Sequence, residues 1–488
     1  MQIALLNAAF NLFESRSVNY YEWGDMGSAM RLRKVFKWIG VAAVAILSVV
    51  IVLGIVLRNN LMPPELSVPA RSSLVLRNVY VVNPGVERRA GMTVTTNGSA
   101  IESVSPTDPS DSGTGPYDGL YVLPGLIDMH VHFPPRAVVG SQELWAIMFL
   151  AHGVTTVRDM GSADGSIFDF RKLAEDGALP SPRIYACGLM IDGSPPAFPS
   201  NHVVTTADEA RQIVDQLAAR GADFIKAYSM LTPECIEALK EQADHHGLKV
   251  VGHVPVTTPI ESGFVNDVQH LTGIPQPSDP EELVRKRAEW SLEDALATDD
   301  ARIAALTGVF REHDMAYTPT LINLRMRRKL CGPLDDPQDP AIDYLPSLWQ
   351  DTWGFIFGTP YTPGTEWETK FELQREKYKE ITYKFHTAGI PIHAGTDTMM
   401  PYVVPGRSLH GELEELVDAG LTIEEAWACA TTTAGAYLSD DGLGKVAAGA
   451  PADFLVYSED PTQSLENLDT LIAVVAGGRV YTREYLAA

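Results

Sequence analysis

Two histidines close the apolar stretch Val122–His132, VLPGLIDMHVH. Side chains two residues apart in an extended strand share a face, so His130 and His132 aim both imidazoles at one point. That is a metal-ligand arrangement, and two structural histidines at a strand end are the plainer alternative. Further short apolar runs each carry one residue able to bind metal or move a proton: Lys226 in FIKAY, His253 in VVGHVP, His270 in VQH and Asp397 in IHAGTD. Four imidazoles, an amine and a carboxylate at strand ends can hold two divalent ions. A water bridging two cations becomes a usable hydroxide at neutral pH, and one ion can steady an oxyanion. Asp397 is the group to accept the water's proton and deliver it to a leaving group. Lys226 does not fit as it stands, because an ammonium has no lone pair to offer.

Repeated βα units must position these residues. Short apolar runs alternate with helical stretches, and the expected strands are 122–132, 154–158, 183–187, 223–228, 249–253, 267–270, 315–320 and 390–394. Eight such strands close a TIM-type barrel, whose chemistry lies at the strands' C-terminal ends, where every candidate ligand falls. Residues 207–220, 233–246 and 407–419 show the helical three-and-four spacing of apolar residues. Two connections are longer than a barrel needs. One runs from Leu271 to about Asp314; the other follows Thr320 to about Thr387 and contains Tyr344, Trp349, Trp353, Phe355, Phe357, Tyr361 and Trp367. Such loops serve as lids or binding walls, or else pack on the barrel's own helices. As a lid, the aromatic one favours apolar or aromatic substrates.

Candidate substrate contacts are Tyr228, two beyond Lys226 and so on the same face, His410 past the last strand, and His202 at the end of a Pro-rich rim segment, 193–202. His152, His313 and His393 read as structural or surface residues, with His393 also able to orient the site from behind. Arg158 and Asp159 either buttress the site or pair with each other.

The ordered set of ligands and the PGLID lead-in at 124–128 resemble the amidohydrolase superfamily of metal-dependent hydrolases, over most of the chain from about Ser72. GHVP around His253, DVQH around His270 and GVTTVRDMG at 153–161 are most similar to the binuclear branch related to prolidase and imidazolonepropionase. That resemblance implies that Lys226 is carboxylated and bridges two ions, one held by His130, His132 and Asp397, the other by His253 and His270. It implies hydrolysis of amide bonds in dipeptides, N-acyl amino acids or related amides through a metal-bridging hydroxide, with zinc as the default metal. The bridging lysine argues against the deaminating relatives. Lactonases, esterases and phosphotriesterases share the binuclear centre and stay open as alternatives, as does a non-catalytic anchored binding protein. The resemblance also implies a small β-sandwich domain built from both chain ends, 72–121 and 442–488, around a barrel at 122–441.

Lys+Arg number 38 against 62 Asp+Glu among 488 residues, a formal charge of −24. So acidic a body is not expected to bind nucleic acid or anionic membrane surfaces. Residues 38–57, WIGVAAVAILSVVIVLGIVL, form an apolar run without a charge, and 20 residues of helix cross about 30 Å. Arg31, Arg33, Lys34 and Lys37 precede it. The positive-inside rule therefore places 1–37 in the cytoplasm and the catalytic body on the other side of the membrane, periplasmic in a Gram-negative source. Residues 58–71, with three prolines, read as a linker. Met26 and Met30 stand in the arrangement of an alternative translation start. Cys187, Cys235, Cys331 and Cys429 show no paired spacing and read as free thiols. A homo-oligomer is compatible with the sequence.

Overall fold

The computed structural model describes residues 44–54 without 46 and 53, then 67–111, 115–136, 141–331, 340–353 without 348, 351 and 352, and 366–487. Segment 1–37, Met26 and Met30 included, most of the expected anchor at 38–57 and most of the expected linker at 58–71 lie outside these residues, as do Phe355, Phe357 and Tyr361. The chain divides into two units, 1–60 and 61–488. In the first, Val44, Ala45, 47–52 and Gly54 are helical and exposed. No helix among the described residues is long and apolar enough to cross a membrane.

The second unit opens with β1 (Val75–Asn83), β2 (Glu87–Asn97), β3 (Ala100–Pro106) and β4 (Tyr121–Pro124). It continues through β5 (Leu126–Val131), β6 (Val154–Asp159), β7 (Arg183–Ala186), β8 (Met190–Asp192), β9 (His202–Val203), β10 (Phe224–Ala227), β11 (Lys249–Gly252), β12 (Asp267–Gln269) and β13 (Ala316–Thr318). The last strands are β14 (Phe454–Tyr457), β15 (Leu471–Ala476) and β16 (Arg479–Thr482).

Both chain ends meet in one seven-stranded sheet of order β16-β15-β14-β4-β1-β2-β3. Alternate residues such as Val79, Val81, Met92 and Val94 point to its inner face and bury a core with Val122, Phe454 and Val456. Two separate facing sheets are not what forms. The single sheet curls until the chain before β14 bonds back to β3, with Ile101 N donating to Ala450 O at 2.8 Å and Gly449 N to Ile101 O at 2.8 Å.

The stretch 122–132 is likewise not one strand. Its first part pairs with β14, Leu123 opposite Leu455, while β5 pairs with β6, Leu126 opposite Val154. Gly125 is where the chain passes from one sheet to the other, and a Cβ there would lie 1.9 Å from Thr155 Oγ1. The boundary between the two sheets thus falls at Gly125 rather than at residue 122.

The parallel strands form two runs, β5-β6-β7 and β13-β12-β11-β10-β8-β9. Seven of the eight expected strands have a counterpart here; 390–394 makes only an isolated bridge, Ile392 with Tyr317. Even so, His393 N donates to Tyr317 O at 2.9 Å and Met129 N to Ala394 O at 2.9 Å, tying this segment to β13 on one side and β5 on the other. Asp223 N donates to Ala186 O at 3.0 Å, joining the end of β7 to the start of β10. Strands β8 and β9 answer no expectation from sequence.

Helices cover the parallel strands as their periodicity requires. Ala207–Ala219 buries Ala210, Ile213, Val214 and Leu217, and its N-cap Thr206 accepts from Glu209 N. Pro233–His245 starts the same way, with Thr232 as cap and proline in the first turn. Of the aromatic connection, Trp349 packs on Trp145 with ring centroids 5.4 Å apart and Trp353 on Tyr402 at 4.8 Å, while Tyr344 is 72% exposed.

Candidate metal centre and substrate cavity

Strand β5 ends by presenting His130 Nε2 and His132 Nε2 3.3 Å apart, and both stand close to Asp397 Oδ1, at 3.3 and 3.5 Å. Donors about 2.1 Å from a tetrahedral ion are spaced about 3.4 Å from one another, so these three atoms fit a single ion without rearrangement. His132 Nδ1 donates to Gly161 O at 2.7 Å, which leaves Nε2 as the ligating nitrogen. Asp397 is held with a positive φ of 60°, and its Oδ2 accepts from Asn323 Nδ2 at 2.5 Å. Burial would raise its pKa, but the adjoining His132 and His270 hold the carboxyl well below its ordinary range.

His253 and His270 follow β11 and β12, with ring centroids 5.1 Å apart and His270 a further 5.0 Å from His130. Their Nδ1 atoms are engaged: His270 with Thr320 Oγ1 at 2.7 Å, His253 with Ser229 Oγ at 2.8 Å and Glu289 Oε1 at 2.7 Å. Nε2 of each ring is left able to hold a further ion. Burial lowers His270 to about 3 and lowers His253 too, which favours the neutral form of each ring, the form able to hold a metal.

Lys226, next to last in β10, is fully buried, its Nζ against Gln269 Oε1 and 5.7 Å from the Tyr228 ring centre. Burial pushes the ammonium down to about 8. The structure therefore gathers all six expected ligands around one cavity.

Behind them lies a layer of buried charge. Arg158 Nη1 stands 2.8 Å from Asp267 Oδ2, and Arg158 Nε donates to Met129 O at 2.7 Å, next to His130. Asp267 also accepts from Thr318 Oγ1 at 2.8 Å and meets His393 Nδ1 at 3.0 Å. His393 thus orients Asp267, not Asp397. Asp159 does not pair with Arg158; it accepts from Phe133 N at 2.8 Å and Gly161 N at 3.1 Å.

The cavity above the ligands has a volume of about 530 Å³ and walls that include Phe133, Phe198, Tyr228, Trp290, Phe371 and Tyr378. Tyr228 stacks on His253 with ring centres 4.1 Å apart. The other two expected contacts are elsewhere. His202 is exposed on the short β9, outside the cavity lining. His410 is buried, donates to His152 O at 2.8 Å and borders a different cavity, because the helix Arg407–Asp418 turns that side chain toward residue 152. The rim segment 193–202 does contribute Ala197, Phe198 and Ser200.

Glu289, Asn323, Thr320 and Ser229 were not anticipated. Only Thr320, at the end of an expected strand, stood where a signal existed. Glu289 sits in a long connection whose course nothing local specifies, and Asn323 is one turn into a helix whose placement depends on Glu412, which accepts from Leu321 N at 3.1 Å and Ile322 N at 2.7 Å.

Parallel strands covered by helices, with clustered imidazoles and carboxylate at their C-terminal ends, define an α/β metal-site hydrolase. A family model described as the amidohydrolase family matches residues 121–481, and the chain belongs to that family. It is accordingly an enzyme that hydrolyses amide bonds. An uncharacterized protein of Mycobacterium tuberculosis is 26% identical over 402 residues, 77% of this chain and 89% of that one. The solved structure of bottromycin amidohydrolase covers 88% of this chain and 93% of its own at a TM-score of 0.68 and 24% identity. A Bifidobacterium longum protein named as a prolidase covers 85% and 95% at a TM-score of 0.63 and 23% identity. Likeness at that level establishes the shared fold.

Proposed function

We propose that this enzyme is a binuclear amidohydrolase that cleaves the C–N bond of dipeptides, N-acyl amino acids or related amides, on parallel strands closed into an eight-stranded barrel. The observation that carries the proposal is Lys226, an amine 0% exposed, set among four imidazoles. A buried lysine without a carboxylate partner is costly as a cation. Carboxylation resolves this: the neutral amine adds to carbon dioxide, an N–C bond forms, a proton is released, and the side chain becomes an anionic ligand. The pKa of about 8 keeps enough neutral amine at hand for that step. His130, His132 and Asp397 would hold one divalent ion and His253 and His270 the other, with Lys226 between them. Two ions so bound, zinc by default, would supply an acidified water and a polarised carbonyl.

The chain's own groups do the rest. Asp397, oriented by Asn323, takes a proton from the attacking water and returns it to the departing nitrogen, which leaves poorly as an anion. Tyr228 is placed to donate to a substrate carbonyl or carboxylate from the wall. Aromatic residues exclude water and favour substrates with apolar side chains.

The test is amine release by the full-length protein, loaded with zinc and bicarbonate, from Xaa-Pro dipeptides, other dipeptides and N-acyl amino acids. Cleavage that disappears in Lys226→Ala supports the proposal. No cleavage by protein carrying two metals, with turnover of lactones or phosphotriesters, overturns it.

Residues 38–57 are further proposed to anchor the enzyme with its catalytic unit outside the cytoplasm. The apolar sequence and the exposed helical residues 44, 45 and 47–52 support this. Recovery of the protein in a washed membrane fraction is the expected result, and recovery in the soluble fraction would refute it.

A further inference from the structure

The helix Leu321–Arg327 carries three cavity residues in succession. Its N-cap Thr320 holds His270, Asn323 holds Asp397, and Arg327, one turn later, lines the cavity and donates from Nε to Asn323 Oδ1 at 3.1 Å. The guanidinium is thus two hydrogen bonds away from the Asp397 carboxylate. A guanidinium has five N–H donors, and one is used here. Both Nη groups have no hydrogen-bond partner among the described residues.

The acidic groups nearby are already committed. Asp397 is engaged by Asn323 and the His130–His132 pair, and Glu289 by His253 and Ser229. The guanidinium is therefore a fork of fixed charge, set into an aromatic wall, facing the space where a substrate must lie.

We infer that Arg327 anchors a free carboxylate of the substrate, making the enzyme selective for N-acyl amino acids and dipeptides whose C-terminus is unblocked. This rests on the amide-hydrolase reading above and narrows its substrate class. A planar fork of donors matches a carboxylate in two parallel hydrogen bonds, which a point charge does not. The short span from Arg327 to Asp397 sets the length of the leaving group. One extended residue reaches about 3.5 Å, so a carboxylate one residue beyond the scissile bond meets the fork, and one several residues beyond does not.

The experiment compares the metal-loaded full-length enzyme on an N-acyl amino acid with a large apolar side chain and on the corresponding C-terminal carboxamide, following cleavage of the acyl bond. Wild type is expected to prefer the free acid by about 10²-fold in kcat/KM, the size expected for loss of a bidentate charged contact. In Arg327→Met that ratio falls toward one, with KM for the free acid rising more than kcat falls. Arg327→Lys gives an intermediate ratio and keeps the question answerable should the methionine variant misfold. Metal content, measured alongside, stays at the wild-type value.

A wild type that cleaves both compounds equally, or a ratio unchanged in both variants, overturns the inference. A parallel loss on both compounds with lowered metal content also overturns it, assigning Arg327 to support of Asn323 alone. Wild type that cleaves neither compound but opens lactones refutes amide hydrolysis itself, and that outcome is distinct from the others.

Discussion

Glu289 Oε1 lies 2.7 Å from His253 Nδ1, so a residue from a long connection reaches into the imidazole cluster to hold one of the candidate ligands. Ser229 Oγ donates to the same carboxylate oxygen at 2.9 Å. Burial alone would raise Glu289, yet the adjoining His253 and the hydrogen bond from Ser229 hold it below its ordinary range, which favours the carboxylate. An anion behind an imidazole makes the other ring nitrogen a better ligand and fixes its direction.

Glu289→Gln keeps the shape and removes the charge. Metal affinity at the His253–His270 position is expected to fall about 10- to 100-fold, the usual cost of losing such a partner. Metal analysis after dialysis against a weak chelator should show the bound stoichiometry dropping from two toward one. Retention of both ions at wild-type affinity would show that Glu289 only walls the cavity.

Asp397→Asn leaves the hydrogen bond network nearly intact but cannot accept a proton. Turnover on amides should fall by about 10²- to 10⁴-fold. Asn323→Ala, which frees Asp397 Oδ2, should cost less, about tenfold, through looser orientation. Steady-state kinetics on protein of verified metal content measure both, and full turnover in metal-loaded Asp397→Asn would remove it from proton transfer.

Activation of the metal-free enzyme should depend on pH through Lys226. Only the neutral amine adds to carbon dioxide, and a group of pKa about 8 is about 3% neutral at pH 6.5 and about three-quarters neutral at pH 8.5. Because the pKa lies below that of an ordinary lysine, the gain comes in this lower window rather than above pH 10. Recovery of activity with zinc, at a fixed partial pressure of carbon dioxide, should therefore be much faster at pH 8.5. A rate independent of pH, or of bicarbonate, would argue against a carboxylated lysine.

Arg158 and Asp267 are both 0% exposed and 2.8 Å apart. Arg158→Met leaves a buried carboxylate unpaired and should destabilise the fold by about 3–5 kcal/mol. Replacing both, as Arg158→Met with Asp267→Leu, should recover part of that loss. Denaturant unfolding would measure the difference, and a single variant as stable as wild type would show that the pair contributes nothing.

Gly125→Ala places a methyl 1.9 Å from Thr155 Oγ1, where the chain leaves one sheet for the other. Overpacking of this kind costs about 1–3 kcal/mol. Thr155→Ala in the same chain should restore much of it, as read from the midpoint of thermal unfolding. No shift in either variant would mean the crossover has slack.

That the six candidate ligands share one cavity was readable because their positions obey local rules. A ligand at the end of an apolar run is a strand-end residue in any parallel α/β fold, and His-x-His converges by the two-residue period of a strand alone. The pairing of the chain's two ends was also legible, from their turn-separated apolar segments, although the sheet they form is single and curled.

Tertiary structure decided what no period encodes. Lys226 was recognised by its position, but the depression of its pKa needs the whole surrounding core. Arg158 and Asp159 are neighbours in sequence and alternate across the strand, so they face different partners, and Asp267, 109 residues on, takes the arginine. Histidines 202 and 410 carried the right chemistry but sit outside the cavity. Of the aromatic connection, Trp349 and Trp353 pack on neighbouring rings, whereas Phe371 and Tyr378 from its later part wall the cavity beside Trp290 of the other long connection. Strand-end placement is a property of a few consecutive residues, whereas the course of a long connection is fixed by contacts distant in the chain. That is why the sequence by itself determined which six side chains converge, and only the folded chain brought Glu289, Asn323 and Arg327 to them.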